Sequence, residues 1–264
     1  MHPIKSLVAR KQNYTISHFD KTKYAKRLLS LKNSKSGKTC VVIGNGPSLT
    51  NSDLDKLNDL GVDTFATNKI FKLFDEVKWR PTYYVTEDPI IVKDIADEIT
   101  NICCDYKFIP INVIYDLNIK VKDVFLMSMT YNNNPAENFG FTDDMHNAIS
   151  CNGTVTITAM QLAAYMGYKK ILLLGVDHNY SKMIDANGNV VEDKTVKDYF
   201  SDKYDEKIKN ELTHDVGATT LAFMRVKKYL DEKGVEAYNA TRGGKLEVFP
   251  RVQIDDFFRE MSEK

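Results

Sequence analysis

The chain has 264 residues, and its 36 basic side chains balance 36 acidic ones. This balance excludes a global electrostatic attraction to nucleic acid, so we expect no nucleic-acid partner. With 43% hydrophobic residues the chain can bury a sizeable core. No apolar run is long enough for a membrane span or a signal peptide, and the four cysteines lack CxxC spacing, which together indicate a cytoplasmic protein with reduced thiols.

The chain begins with a basic, polar segment that we assign to a helical lead-in over residues 1–37. Seven β-rich runs follow, namely TCVVIGN, DTFATN, PTYYVTED, YKFIPIN, VFLMSM, KKILLLGVD and EAYNAT. Helical patterns between them predict a Rossmann-like α/β fold, a mostly parallel, twisted sheet with helices on both faces. We assign residues 38–180 to the α/β core, residues 181–213 to a polar lid or insertion, and residues 214–264 to a helix, strand and helix that complete the core.

The first predicted strand ends in the motif GNGPSL. Gly44 and Gly46 permit unusual dihedral angles and a close approach of the backbone. Loops at the carboxyl ends of parallel strands present free N–H groups to anionic ligands. The motif therefore predicts that the backbone around Asn45 and Ser48 cradles the phosphate of a nucleotide. A turn that merely joins a strand to a helix is the alternative.

Two better-known phosphate loops do not fit the sequence. The dinucleotide fingerprint GxGxxG requires glycine where Leu49 stands, and no acidic residue closes a plausible second strand. The tripeptide GKT imitates a P-loop, but it precedes its strand, and Lys32 occupies the position of the first glycine. The sequence thus argues against NAD and against a P-loop nucleotide site.

Polar side chains also follow other predicted strands. Because the carboxyl ends of parallel strands meet at one edge of a sheet, we expect these side chains to converge on the crevice beside GNGPSL. A helix cap is the alternative for a polar residue just past a strand. The residues concerned are Asn68, Thr86, Glu87 and Asp88 after the second and third strands, Asp177, His178 and Tyr180 after the sixth, and Asn152 and Gly153 at the start of a helix.

Taken together, these motifs resemble those of a bacterial superfamily. The resemblance is carried by VVIGNGPSL, by the strand-end Asn68, by the NG that opens the helix ending MGYKKILLLGVD, and by the C-terminal NATRGGKLEVFPRV. The superfamily joins the CMP-sialic acid sialyltransferases to the 6-hydroxymethylpterin diphosphokinase-like proteins of surface-polysaccharide gene clusters. The resemblance covers most of residues 40–252, and the C-terminal motif is similar to that of the diphosphokinase-like branch.

This resemblance implies a GT-A-variant-like fold with a small lid, and catalysis without an obligatory metal. It places Asn45 and Asn68 on the nucleotide and its sugar. The sialyltransferases commonly have asparagine where this chain has Asp88, and this departure leaves a bound Mg²⁺ open. The resemblance also implies His214 as general base, with the strand-end His178 as its rival. The lid tyrosines that would bind the leaving phosphate are Tyr180, Tyr199 and Tyr204.

Three functions stay open at this stage. The first is the transfer of a nonulosonic sugar from a CMP-activated donor to a hydroxyl of a glycan or lipid-linked glycan acceptor, at the inner face of the membrane. The second is Mg²⁺-dependent transfer of diphosphate from ATP to a hydroxymethylpterin-like alcohol, for which Asp88 and Asp177 would matter most. The third is a non-catalytic nucleotide-binding module. Peripheral membrane contact and a homo-oligomer are open in each case.

Overall fold

The computed structural model describes residues 3–131, 140–184, 188–201 and 213–263. Its strands, in chain order, are β1 Thr39–Ile43, β2 Asp63–Thr67, β3 Tyr83–Val85, β4 Tyr106–Pro110, β5 Phe125–Met127, β6 Met129–Tyr131, β7 Ile149–Cys151, β8 Lys170–Leu174, β9 Lys182–Ile184, β10 Val190–Glu192, β11 His214–Asp215 and β12 Glu236–Asn239.

Helices fill most of the connections between these strands. In chain order the α-helices are α1 Pro3–Ser17, α2 Lys23–Leu29, α3 Asn51–Asp59, α4 Pro89–Asp94, α5 Ile111–Leu117, α6 Val155–Tyr165, α7 Val216–Glu232 and α8 Ile254–Ser262. Short 3₁₀ helices lie at Phe19–Lys21, Asn68–Leu73 and Ile99–Asn101. No helix in the described part of the chain is long and apolar enough to cross a membrane.

The main sheet has seven strands in the order β12-β8-β1-β2-β3-β4-β5. Every neighbouring pair in it is parallel, which confirms the predicted Rossmann-like α/β fold. Each of the seven β-rich runs supplies one of its strands. The chain builds outward from β1 to β5 on one side and later adds β8 and β12 on the other, so the direction of winding reverses between β1 and β8. In open α/β sheets, ligands bind beyond the carboxyl ends of the strands at such a reversal.

The sheet is buried on both faces. Successive side chains of a strand point to opposite faces, and in β1 Cys40 and Val42 belong to one apolar cluster while Val41 and Ile43 belong to the other. The central helix α6 covers one face and is apolar almost all round, as expected of a buried helix. This two-sided core fixes the strand ends rigidly at the edge of the sheet. All four cysteines are free.

Arg242 pins the start of α3 to the C-terminal part of the chain. Asp53 in the first turn of α3 is 1% exposed, and both terminal nitrogens of Arg242 donate to its carboxylate, one of them at 2.9 Å. We expect Arg242→Ala to lower the free energy of unfolding by about 2 to 3 kcal/mol, because the buried charge would keep only the Thr50 hydroxyl as a side-chain donor. Urea denaturation measures the change. Arg259→Ala, at an exposed arginine, is the control and should shift stability by less than about 0.5 kcal/mol.

Candidate functional site

A cavity of about 580 Å³ opens at the carboxyl edge of the main sheet, where the winding reverses. Its wall takes in the loops after β1, β2, β3 and β8 and the first turns of α6 and α7. The volume falls in the range of small-molecule sites. The predicted site residues on this wall are Gly44, Asn45, Gly46, Asn68, Asp88, Gly153, Asp177, His178, Tyr180, Tyr199 and His214.

The GNGPSL turn is packed against the turn that follows β8. The amide of Gly46 donates to the carbonyl oxygen of Gly175 at 2.9 Å, and the Ser48 hydroxyl donates to Oδ2 of Asp177 at 2.7 Å. The Ser48 amide lies 3.4 Å from the same carboxylate oxygen. These two amides therefore bond to the protein and do not form the phosphate cradle that the motif predicts. Ser48 holds the two turns together from behind the cavity wall.

Glycine is required in this turn because the two backbones touch. A Cβ at Gly46 would overlap the carboxylate of Asp177 and lie 2.8 Å from the carbonyl oxygen of Gly175. A Cβ at Gly44 would overlap that same carbonyl oxygen. Neither glycine has a positive φ. The close approach that the sequence predicts does occur, but it joins two turns of the protein, and the positive φ in this contact belongs to Gly175, at 68°.

Two asparagine amides follow the neighbouring strands β1 and β2. Asn45 donates through Nδ2 to the carbonyl oxygen of Thr67 at 3.1 Å, and its Oδ1 is buried without a partner. Asn68 has a φ of 51°, and its carbonyl oxygen accepts from the Tyr84 hydroxyl at 2.6 Å. The Thr86 hydroxyl donates to Oδ1 of Asn68 at 3.2 Å, which turns the NH₂ group of Asn68 away from Thr86. The pair thus offers a ligand one acceptor and one donor.

Three other predicted contacts lie elsewhere. Thr86 is fully buried and acts through Asn68, as described above. Asn152 is fully buried, and its Nδ2 donates to the carbonyl oxygen of Gly140 at 3.1 Å, so it anchors the chain before β7 and does not face the cavity. Tyr204 lies outside the described residues. The sequence placed polar residues at the correct edge, but it could not tell which of them would bond inside the protein.

Asp88 is the helix cap that the alternative interpretation anticipated. Its Oδ1 accepts from the amide of Ile90 at 2.7 Å at the start of α4, while the side chain remains on the cavity wall. Within the described ranges, no group of three or more His, Cys, Asp and Glu side chains is arranged to hold a metal ion. Mg²⁺ at Asp88 would therefore need oxygen ligands from a bound phosphate, and it stays a prediction.

Glu87, next to Asp88, is a wall residue that the sequence places among the strand-end polar groups without a role of its own. It is 3% exposed, and burial raises the pKa of its carboxyl group to about 7. The Cys151 thiol lies 3.5 Å from Oε1, and Oε2 is buried without a partner. A glutamate at a strand end is a weak signal by itself. Its burial depends on α6 and β7, which come much later in the chain.

Both histidines predicted as general base lie on the wall and are held at defined positions. Nε2 of His178 is 2.8 Å from the Thr220 hydroxyl, which donates its own proton to the carbonyl oxygen of Val216 at 2.7 Å. His178 must therefore be the donor at Nε2, which leaves Nδ1 to accept a proton. His214 stacks on Tyr180 with ring centroids 3.7 Å apart. Burial lowers the pKa of both histidines, so both are neutral and able to accept a proton at pH 7.

The predicted lid contributes to the cavity through residues 193–201. The amide of Phe200 donates to the carbonyl oxygen of Asn45 at 3.0 Å, and the Ser181 hydroxyl donates to Oδ2 of Asp198 at 2.6 Å. These bonds hold Tyr199 on the wall. The segment therefore crosses the GNGPSL turn and covers one side of the cavity.

The electrostatics of the wall are unusual for a site expected to bind phosphate. In the described part of the chain, no lysine or arginine lies on the wall. The positive ends on the wall are the first turns of α6 and α7, where the helix dipole favours an anion, and in α7 the Asp215 carboxylate already accepts from the amide of Ala218 at 2.8 Å. The wall carboxyl groups are those of Glu87, Asp88, Asp177, Asp198 and Asp215.

Fold and cavity together define a Rossmann-like α/β protein with a polar ligand site at the β1/β8 reversal. The chain belongs to the MptE-like family, described as 6-hydroxymethylpterin diphosphokinase MptE-like, whose model matches residues 13–183. This match covers more than half of the chain and confirms the resemblance predicted from the motifs. It ends before the C-terminal NATRGGKLEVFPRV segment. A comparison with proteins of curated function gave no significant match.

Solved structures with a similar fold include glycosyltransferases. The Maf glycosyltransferase from Magnetospirillum magneticum AMB-1 aligns with a TM-score of 0.51 and 15% identity, over 91% of this chain and 40% of that protein. The sialyltransferase CstII from Campylobacter jejuni, in complex with a substrate analogue, cytidine-5'-monophosphate, aligns with a TM-score of 0.47 and 16% identity, over 82% of this chain and 85% of that protein. A mammalian sialyltransferase in complex with Gal-β-1-3GalNAc-ortho-nitrophenol aligns with a TM-score of 0.39 and 12% identity, over 89% of this chain and 86% of that protein. The first similarity shows a shared fold, and the other two are too distant to carry an argument.

Proposed function

We propose that the protein is a glycosyltransferase that binds a CMP-activated nonulosonic sugar in the cavity and transfers the sugar to a hydroxyl of a glycan precursor. The observation that carries this proposal is the charge of the wall, which has carboxyl groups and two helix N-termini but no lysine or arginine within the described ranges. A nucleoside monophosphate sugar carries fewer negative charges than ATP, and helix N-termini suit a single phosphodiester. The fold shared with a glycosyltransferase supports the same class.

Residues on the cavity wall can take up the proton that the acceptor hydroxyl loses during the transfer. Nδ1 of His178, or a ring nitrogen of His214, accepts the proton of the acceptor hydroxyl as its oxygen bonds to the anomeric carbon of the sugar. The bond between that carbon and the phosphate oxygen breaks, and CMP departs with the bonding electrons. Tyr180 and Tyr199 on the wall can donate hydrogen bonds to the departing phosphate.

Diphosphate transfer from ATP to a hydroxymethylpterin-like alcohol is the second candidate, and the family description favours it. Four phosphate charges beside five carboxyl groups would require Mg²⁺ to neutralise them. Asp88 would supply its second oxygen to that ion, whereas Oδ2 of Asp177 already accepts from Ser48. A non-catalytic nucleotide-binding module is the third candidate.

Nucleotide binding separates the first two candidates. We expect CMP without metal to stabilise the protein, by about 2.7 kcal/mol at a hundred times its dissociation constant. Thermal unfolding with CMP, CDP, UDP and ATP, each with and without Mg²⁺, measures this. Asn45→Ala should abolish the CMP effect, and Asn51→Ala on the exposed face of α3 should retain it. Stabilisation by ATP with Mg²⁺ alone would establish the second candidate in place of the first.

Turnover tests the general base. We expect His214→Gln to lower sugar transfer from a CMP-sugar by roughly 100-fold or more and to leave CMP binding intact, because the ring acts on the acceptor. Burial lowers its pKa below the ordinary value, so wild-type activity should be constant from pH 7 to pH 8 and fall only on the acidic side. The surface variant His18→Gln is the control. Loss in His178→Gln alone would assign the base to His178, and full turnover in both variants would exclude the base role of either histidine. Binding of CMP without any turnover by the wild type would favour a binding module.

A further inference from the structure

The polar groups of the cavity wall form a row across four neighbouring strand ends. His178 follows β8, Asn45 follows β1, Asn68 follows β2 and Glu87 follows β3, and these strands are consecutive neighbours in the sheet. Neighbouring strands lie about 4.8 Å apart, so the strand end that Glu87 follows is separated from the one that His178 follows by roughly 14 Å. The site therefore has two chemically different ends.

A nucleotide sugar is also a row of groups, in the order transferred sugar, phosphate, ribose and base. In the function proposed above, on which this step rests, the transferred sugar lies beside His178 and His214. The phosphate and ribose then lie near Asn45 and Asn68, and the base reaches the end occupied by Glu87. The length of the row matches that of the ligand when it lies along the edge of the sheet.

The carboxyl group of Glu87 has one oxygen to offer. Oε1 is approached by the Cys151 thiol at 3.5 Å, and Oε2 is buried and without a partner. A buried polar atom that lacks a hydrogen bond costs free energy, so Oε2 fits a donor supplied by a ligand. Cytosine and adenine carry an exocyclic amine on the edge where uracil and guanine carry a carbonyl oxygen.

We propose that Glu87 selects an amino base, cytosine or adenine, over a keto base, uracil or guanine. Oε2 accepts a hydrogen bond from the exocyclic amine, whereas the carbonyl oxygen of a keto base would face this oxygen with no hydrogen between them. The selection holds for a CMP-sugar and for ATP alike, so it identifies the base class independently of the group that is transferred.

A structural role for Glu87 is the rival explanation. The Thr158 hydroxyl on α6 is buried and has no partner at ordinary hydrogen-bond geometry, yet it acts on the Glu87 carboxylate as a hydrogen-bond donor and so opposes the rise in pKa that burial causes. If the Glu87 carboxylate only accepted a hydrogen bond from this hydroxyl, replacing Glu87 would change the stability of the protein and leave its base preference unchanged. Thr158→Val keeps the shape of the side chain and removes the hydroxyl, so it is the matched control.

Calorimetric titration at pH 8 with CMP, UMP, AMP and GMP tests the selection. We expect the wild type and Thr158→Val to prefer each amino base over its keto counterpart by roughly tenfold or more. Glu87→Gln should bring this ratio close to one, because its amide can both donate and accept. Glu87→Leu, which removes the acceptor, should also lose the preference, and circular dichroism checks that each variant is folded.

The outcomes separate this inference from the proposed function. Equal affinity of the wild type for amino and keto nucleotides, or an unchanged ratio in folded Glu87→Gln and Glu87→Leu, would overturn the role of Glu87 and leave nucleotide binding standing. Failure of the wild type to bind any of the four nucleotides would overturn the proposed function itself. Loss of preference in Thr158→Val as well would assign the effect to the structural pair and overturn direct contact.

Discussion

Gly46→Ala is expected to destabilise the protein by about 3 kcal/mol, at the upper end of the cost of overpacking a core. A Cβ at this position would overlap the Asp177 carboxylate, and it would lie 2.8 Å from the carbonyl oxygen of Gly175. The backbone of the β8 turn cannot withdraw without breaking its own bond to the Gly46 amide. Urea denaturation measures the loss of stability.

Gly217→Ala is the matched control for this change. Gly217 lies in the first turn of α7, and its added Cβ would meet only Oδ1 of Asp215, at an ordinary distance of 3.6 Å. Because alanine favours a helix, this variant should be unchanged or more stable by up to about 1 kcal/mol.

The same clash should also weaken the binding of CMP to Gly46→Ala, because a displaced turn moves the amide of Asn45 away from Asn68. The loss of affinity should accompany the loss of stability, and calorimetric titration of the folded variant measures it. Gly46→Ala with wild-type stability and wild-type affinity would mean that the two turns are not in contact, and the arrangement of the cavity would then be wrong.

The main sheet was predictable because its strands are short apolar runs separated by helical patterns. All seven of its strands were read from the sequence, since a strand buried on both faces needs a continuous apolar run. The strand order was not readable, because it depends on contacts between residues far apart in the chain, such as those of β8 with β1. The five short strands outside the main sheet, β6, β7, β9, β10 and β11, have two or three residues each, too few for a periodic signal, and were missed.

The convergence of the strand-end polar residues on one site was predictable for a geometric reason. Parallel strands end at one edge, so a polar residue after each strand is placed near the others. The sequence could not distinguish Asn68, which faces the cavity, from Thr86, which bonds to Asn68 from behind. Glu87 was expected at this edge with the other strand-end residues but received no role of its own, because its burial depends on α6 and β7, whose packing no local pattern encodes. The roles of the individual wall residues stay predictions.

Glu87→Gln is expected to raise stability increasingly as the pH rises from 5 to 8. Burial raises the pKa of Glu87 from its ordinary value of 4.5 in an open chain to about 7 in the folded protein. Between these two values the folded protein holds a proton that the unfolded chain releases, so wild-type stability falls as pH rises through this window and is level above it. The shift in pKa corresponds to about 3 kcal/mol of stability that the wild type loses as Glu87 ionises. Glutamine is neutral at every pH, so Glu87→Gln does not undergo this loss.

Urea denaturation of the wild type and Glu87→Gln at pH 5, 6, 7 and 8 measures this difference. Nearly all of the gain should be present at pH 8 and little of it at pH 5. Glu247→Gln is the control: Glu247 is exposed and paired with Arg251, which lowers its pKa, so its replacement should give a change of the opposite sign. An equal gain at every pH would show that the Glu87 carboxyl group is reached by water. In that case its free oxygen would be solvated in the unliganded protein, and a base amine would have to displace that water to bind there.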